Sequence, residues 1–421
     1  MGSRVAKPHS AYASAMLRRA LLHVCLPLLV LACGTADVPA EGGGPPVEVV
    51  ADASAVLDAS PADASLPARD GAPDGPLDAS PPRRAEVAFV GSGDGNVRTY
   101  AVDSATGALA PKGVTAVGGD PSYLAFDEGR RLAFVVDSTR NRVHAYSVDP
   151  STGTLTKKND VASGGTGATH VSLVPSGRYL LVAHYTSGQL SVVPVAADGT
   201  LAAPSDVVFA GEKAHYAQMD AARRTVFVPC LGANVVARYT LDEGSGALAA
   251  LAPVGLPAGA GPRHLAFAPS TPFAFVVNEL QSSVTSFGYD AATGGLTLIE
   301  TRSSLPVDFA GANTGAAIFA HPAGRYVYSS NRGHDSIARF VVEPTGRLTL
   351  DGHVSTSGRT PRSFTLAGGG RFAYVANQAS GTVWGYTFVP ANGELVPMGV
   401  AALAEGLGAA KFVGTARFVD P

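Results

Sequence analysis

Apolar and polar positions along this chain fall into a repeat. Seven short apolar runs recur: Val87–Ser92, Leu132–Asp137, Tyr179–His184, Thr225–Cys230, Phe273–Asn278, Tyr326–Asn331 and Phe372–Asn377. Each is followed by a second β-rich run, then by a Gly-Xaa-Leu turn and strand. Their spacing is about 46 to 48 residues, with one longer step into the sixth. Strands with Gly-rich turns at such a period specify a ring of four-stranded blades. Helical periodicity is absent throughout the repeats, so the pattern predicts an all-β, seven-bladed β-propeller.

The ends of the chain indicate how the ring closes. No innermost strand precedes the first repeat, whereas Ala410-Lys411-Phe412-Val413-Gly414, after the seventh, has the apolar pattern of one. This C-terminal run is expected to complete the blade begun at Ala85–Gly113 and to remove an exposed sheet edge. Residues 85–421 then form a single domain, although length arithmetic alone suggests two.

The N-terminus follows another logic. Arg18-Arg19 precedes the apolar stretch Ala20–Ala32, too short to span a bilayer and of the right length for a signal-peptide core. It ends in Val30-Leu31-Ala32-Cys33, a sequence similar to a bacterial lipobox. Residues 1–33 are thus expected to be a lipoprotein signal with Cys33 as the acylated mature N-terminus. In residues 34–84, Asp-Ala-Ser recurs among many Pro and Gly. So few large apolar residues cannot offset the entropy of ordering, so this segment is expected to be a disordered tether. The chain is read as an exported, membrane-anchored protein facing the periplasm or the cell surface.

Composition narrows the chemistry. The three cysteines are Cys25 in the signal core, Cys33 and Cys230, which leaves one thiol in the propeller and no internal disulfide. Neither His/Cys clusters with zinc-ligand spacing nor an HExxH motif is present, so no metal or other cofactor is expected. A net charge of −3 argues against nonspecific nucleic-acid binding, and a monomer is expected.

The strands of a blade run antiparallel, so the start of the innermost strand and the end of the second share one face. Aligning the repeats collects Ser122-Tyr123, Thr169-His170, His215-Tyr216, Arg263-His264, Ala316-Ala317, Arg362-Ser363 and Ala410-Lys411 from the first set. The second set contributes Asp137, His184, Cys230, Glu279 and Arg332. Arg263, Arg332, Arg362 and Lys411 thus meet Asp137 and Glu279, with His170, His184, His215 and His264 beside them. Such a cationic, His-rich concavity suits a small anion, because guanidinium groups bind carboxylate or phosphate bidentately. Asn278, Asn331 and Asn377 recur at one repeat position and are expected to satisfy turn backbone.

Four segments resemble the seven-bladed lactonase propellers, which include propeller-type 6-phosphogluconolactonases and carboxy-cis,cis-muconate cyclases. They are Gly261-Pro262-Arg263-His264, Val277-Asn278-Glu279-Leu280, Ser329-Ser330-Asn331-Arg332-Gly333-His334-Asp335-Ser336-Ile337 and Pro361-Arg362-Ser363-Phe364. The resemblance covers about 85–418. It implies that the active residues fall on His215, Arg263, Glu279 and Arg332. The chain departs from the family pattern at Ala317, where an acidic residue is usual, at His184, where Asn is usual, and at Cys230, where Asp is usual.

The expected activity is metal-free hydrolysis of a lactone bearing an anionic group, of sugar-acid type. Arg263 and Arg332 would hold the anion and stabilise the oxyanion, with Glu279 or His215 as general base. His264 would orient that base or protonate the ring oxygen, and His170, His184 and Arg362 complete the binding set. Two alternatives stay open: a muconate-type cycloisomerase, and a noncatalytic cell-surface propeller that binds a ligand or a partner. The tether makes one prediction by itself. Cys33→Ser should release the protein from the membrane fraction or leave its precursor unprocessed, as read by fractionation and immunoblot. Wild-type protein free in medium or periplasm contradicts the acylation.

Overall fold

The computed structural model describes residues 84–399 and 407–419. The expected signal peptide, acylated Cys33 and the tether up to residue 83 lie outside the described residues.

The first blade contains β1 (Arg84–Ser92), β2 (Asn96–Val102) and β3 (Leu109–Ala116). The second is β4 (Pro121–Asp127), β5 (Leu132–Asp137), β6 (Arg142–Asp149) and β7 (Thr154–Ala162). The third is β8 (Ala168–Leu173), β9 (Tyr179–His184), β10 (Gln189–Pro194) and β11 (Asp206–Phe209). The fourth is β12 (Gln218–Met219), β13 (Val226–Cys230), β14 (Val235–Asp242) and β15 (Ala247–Gly255). The fifth is β16 (Pro262–Phe267), β17 (Phe273–Asn278), β18 (Ser283–Asp290) and β19 (Gly295–Ser303). The sixth is β20 (Thr314–Ala320), β21 (Tyr326–Arg332), β22 (Ser336–Val342) and β23 (Leu348–Ser355). The seventh is β24 (Pro361–Ala367), β25 (Phe372–Asn377), β26 (Thr382–Val389) and β27 (Glu394–Pro397). The last strand, β28 (Ala410–Val419), returns to the first blade in the order β28-β1-β2-β3. All seven sheets have four strands, so the predicted propeller and its C-terminal closure are both present.

The apolar runs of the sequence are the second strands, and their continuity has a geometric cause. Each such strand is covered on both faces, because a blade stands between two neighbours. In β5, Ala133 and Val135 join a core with Val87 and Phe89 of the first blade. Leu132, Phe134 and Val136 point the other way, into a core with Leu180 and Val182 of the third. Alternation between two apolar destinations therefore reads as an unbroken apolar run.

Closure repeats this arrangement with residues from opposite ends of the chain. β28 pairs with β1 in antiparallel register from Arg84↔Val419 to Ser92↔Ala410. Val413 enters the core shared with Tyr374 of the seventh blade, while Phe412 and Phe418 enter the core shared with Leu124 of the second. The longer step into the sixth repeat is a connector whose two ends are pinned. Ser304 Oγ donates to the Ser282 carbonyl at 2.8 Å, and Asn313 Nδ2 donates to Ser282 Oγ at 2.9 Å.

Deleting Ala410–Pro421 removes the innermost strand of the first blade and strips cover from two inter-blade cores. Each large apolar side chain lost from a core is worth roughly 1.5–3 kcal/mol, against a total stability of about 5–15 kcal/mol. The truncated chain should aggregate or lose its cooperative thermal transition in calorimetry. Melting like the full chain would place the closing contact elsewhere.

Candidate active site

The innermost strands share one irregularity, and it builds the site. Their pairing with the second strands slips between Pro121 and Tyr123, Ala168 and His170, Pro262 and His264, and Pro361 and Ser363. The closing strand slips in the same place, at Ala410 and Phe412 opposite Ser92 and Gly91. The residues left out of the ladder are Ser122, Thr169, Arg263, Arg362 and Lys411. A bulge bends its strand and re-aims the unpaired side chain. Ser122, Thr169, Arg362 and Lys411 consequently line one cavity of about 440 Å³. In the sixth blade the slip spans Ala316 and Ala317, both buried. The fourth blade breaks more completely. Its inner strand shrinks to Gln218–Met219, and His215, held by its own N–H on the Pro229 carbonyl at 3.0 Å, reaches the cavity.

The Gly261-Pro262-Arg263-His264 segment shows the local logic. Gly261 has φ of 67°, and a Cβ there would meet Leu280 at 2.5 Å. Its carbonyl accepts the Glu279 N–H at 2.7 Å, which ties this segment to the strand end that carries Glu279. Pro262 occupies the first strand position, where a missing N–H is tolerated.

The ends of the second strands divide the labour between two adjacent positions. Ser92, Asp137, His184, Cys230, Asn278, Asn331 and Asn377 are each 0% exposed. Asn331 Nδ2 donates to the Ser304 carbonyl at 2.7 Å and Asn377 Nδ2 to the Thr356 carbonyl at 2.8 Å, the backbone role expected of them. Asn278 Nδ2 instead donates to Ser283 Oγ and Thr285 Oγ1. Asp137 has a turn role too, accepting the N–H groups of Asp120, Thr139 and Arg140 on Oδ1. It is therefore not a cavity charge. The following residue is the one presented: Ser138, Tyr185, Glu279 and Arg332 all line the cavity.

Charge is arranged in two groups. Glu279 Oε2 lies 2.9 Å from Arg263 Nε and 3.0 Å from an Arg332 terminal nitrogen. The first contact is an ion pair without hydrogen-bond alignment. Arg263 is 1% exposed, stands behind Glu279, and donates to the Ala316 carbonyl at 2.6 Å. Across the ring, Lys411 Nζ lies 2.7 Å from each carboxylate oxygen of Asp120. Arg362 makes no hydrogen bond or ion pair among the described residues, although Asp120 and Glu279 attract it and Arg332 repels it. The rest of the lining is rich in hydroxyls: Ser122, Ser138, Thr169, Tyr185 and Thr186. Among the described residues, no three His, Cys, Asp or Glu side chains converge as a metal-ligand set.

The model of the family described as "Lactonase, 7-bladed beta-propeller" matches residues 87–411. The chain belongs to the seven-bladed β-propeller lactonase family. A 6-phosphogluconolactonase of Pectobacterium carotovorum is 35% identical over 240 residues, 56% of this chain and 72% of that protein. The Bacillus subtilis 6-phosphogluconolactonase is 31% identical over 314 residues, 70% of this chain and 89% of that protein. The solved periplasmic gluconolactonase PpgL of Pseudomonas aeruginosa superposes with a TM-score of 0.73 at 29% identity, covering 80% of this chain and all 100% of that one.

In this lactonase the expected site residues separate into three environments. Glu279, Arg332, Arg362 and His215 line the cavity, with Arg263 immediately behind them. His170 and His264 lie below it in a septum with Tyr123 and Tyr216. Ring centroids there are 4.2 Å apart for Tyr123–His170, 3.9 Å for His170–Tyr216 and 4.9 Å for Tyr216–His264. His184 is buried against the Gln189 carbonyl, 3.3 Å from Nδ1, at the turn-capping position. Asp120, absent from the expected set, precedes the Pro121 that opens β4; the loop residue before an inner-strand Pro was the available signal.

Burial makes these imidazoles poor bases. It holds His215 well below its ordinary value, with Arg263, Arg362 and Arg332 adding repulsion, so His215 is neutral at pH 7. His264 and His170 are lowered mainly by burial and next by Arg263. A guanidinium keeps its charge in a protein, and Glu279 offsets part of the burial and repulsion acting on Arg263.

His184 is pushed down to about 4 by burial. Unfolded, it takes up a proton near its ordinary value of 6.5; folded, it does so only near 4. The stability it contributes is complete above the unfolded value and is lost as pH falls from about 6.5 toward 4. This residue alone carries up to about 3 kcal/mol of that loss. His184→Asn, which copies the residue of three other blades, should flatten the decline of urea-unfolding stability between pH 7 and 4. An unchanged slope contradicts the buried neutral imidazole.

Proposed function

We propose that this lactonase is an exported lipoprotein hydrolysing a polyhydroxylated lactone that carries a negative charge, the chemistry of 6-phosphogluconolactone and related sugar-acid lactones. The observation that carries the reading is Arg362, a half-buried guanidinium without an ion-pair partner among the described residues, in a cavity that also presents five hydroxyl side chains. Leaving it unpaired costs stability unless a ligand supplies the missing anion. The 6-phosphogluconolactonase relatives support the lactone class, and the periplasmic gluconolactonase of Pseudomonas supports export.

The roles follow from position. Arg362 takes the fixed anion of the substrate. Arg332, whose other contacts are Glu279 and the Gly315 carbonyl at 3.0 Å, presents positive charge to the oxyanion that forms when water adds to the carbonyl. Oε1 of Glu279 has no partner among the described residues, which leaves it able to accept a proton from that water. The neutral imidazole of His215 is the alternative acceptor, and an anion bound at Arg362 offsets part of the repulsion that depresses it. Arg263 positions Glu279 from behind. The cavity is set in a rigid ring, so these groups need no reorganisation when charge develops.

The test compares 6-phosphogluconolactone with uncharged glucono-1,5-lactone. Arg362→Gln should lower kcat/KM about 10- to 100-fold on the phosphorylated lactone and far less on the uncharged one. Glu279→Gln should lower kcat on both, with KM little changed. Wild-type protein that binds these lactones without turnover would establish a binding propeller instead.

A further inference from the structure

Opening a lactone takes two proton movements, and the groups assigned above provide for one. Water loses a proton as it adds to the carbonyl carbon. When the ring C–O bond then breaks, its electron pair goes to the ring oxygen, an alkoxide that needs a proton. We propose that Lys411 is the general acid that protonates the departing ring oxygen, with Asp120 fixing its ammonium group. This rests on the hydrolytic reading of the cavity.

Placement supports the role. Lys411 belongs to the first blade, whereas His215 and Glu279 belong to the fourth and fifth, which lie across a seven-membered ring. A lactone in a cavity of about 440 Å³ between these walls meets the water-activating groups on one side and Lys411 on the other. Lys411 Nζ donates one hydrogen bond of 2.7 Å to Asp120 Oδ2, which leaves an ammonium proton for a ligand. Ser138 Oγ donates to Asp120 Oδ2 at 2.5 Å, which in turn fixes the carboxylate. The Lys411 side chain is 22% exposed, so the amine recovers its proton from solvent after each turnover.

The other lining groups are worse donors. Arg332 and Arg362 do not give up a proton in a protein. His215 is neutral, and the hydroxyls of Ser122, Ser138, Thr169 and Thr186 are no more acidic than the alcohol being formed. Tyr185 sits on the His215 side, its ring 5.7 Å from that imidazole. His264, the expected donor to the ring oxygen, lies in the septum, with Nε2 3.2 Å from a terminal nitrogen of Arg263. An ammonium transfers its proton downhill to an alkoxide, so the step balances without any co-reactant: the water proton goes to the base, the lysine proton to the ring oxygen.

Leaving-group chemistry separates catalysis from structure. 6-Phosphogluconolactone expels an alkoxide, which needs the acid; dihydrocoumarin expels a phenoxide, which leaves with far less help. Lys411→Met should lose about 100-fold in kcat on the sugar lactone, and the deficit on dihydrocoumarin should be at least 10-fold smaller. Lys411→Arg keeps the ion pair with Asp120, and thus the fold, yet should match the sugar-lactone loss because a guanidinium does not donate. Equal losses on both substrates, or wild-type turnover by Lys411→Arg, would overturn the proposal while leaving the hydrolase intact. A wild-type protein inactive on both lactones overturns the hydrolase reading and this one with it.

Discussion

Everything in this molecule depends on the pairing of β28 with β1. A blade is covered on both faces by its neighbours, so an open ring would leave two apolar faces in water and an unpaired sheet edge. Closure also completes the cavity wall. The strand that seals the first blade carries Lys411, which lines the cavity beside Asp120. A circular wall has a further effect: groups from the first, fourth, fifth, sixth and seventh blades are held at fixed separations without any loop having to fold over them.

On this ring the site is made by repetition with local variation. The same bulge occurs in the inner strands of several blades, and only the side chain placed there changes: Ser122, Thr169, Arg263, Arg362 and Lys411. Burying so many cations close together is costly unless carboxylates accompany them. Glu279 serves two guanidiniums and Asp120 serves the lysine, which leaves Arg362 without an ion pair among the described residues. The geometry thereby assigns different work to arginines that look alike in sequence. Arg263 supports, Arg332 is shared between Glu279 and the cavity, and Arg362 is available to a ligand.

The aromatic septum of Tyr123, His170, Tyr216 and His264 gives the cavity its floor. It adds a polarisable aromatic layer beneath the charged groups, and a lowered effective dielectric beside these rings strengthens the interactions above it. The acid lability expected of the fold also comes from burial, since imidazoles held neutral in the folded chain take up their protons more readily once it unfolds.

The seven repeats, their length and the C-terminal closure were legible in the sequence, because a radial fold imprints its period directly on apolar positions. The family motifs around Arg263, Glu279, Arg332 and Arg362 were legible for the same reason: each lies at a fixed offset from a strand. What the sequence could not assign was direction. His215 aligns with Thr169 and His170 with Tyr216, and only the bulged ladder shows that the first position of each pair reaches the cavity while the second joins the septum. Asp137 lies at the aligned strand end but is spent on turn N–H groups, while Asp120, in an unremarked loop, takes its place beside Lys411. A period of two along a strand states which residues share a face, but a one-residue slip in pairing exchanges the faces, and that slip exists only in the three-dimensional ladder. Repeat and family were determined by the sequence itself; which cavity charges are paired, and that Arg362 has no ion pair among the described residues, was decided by the closed ring.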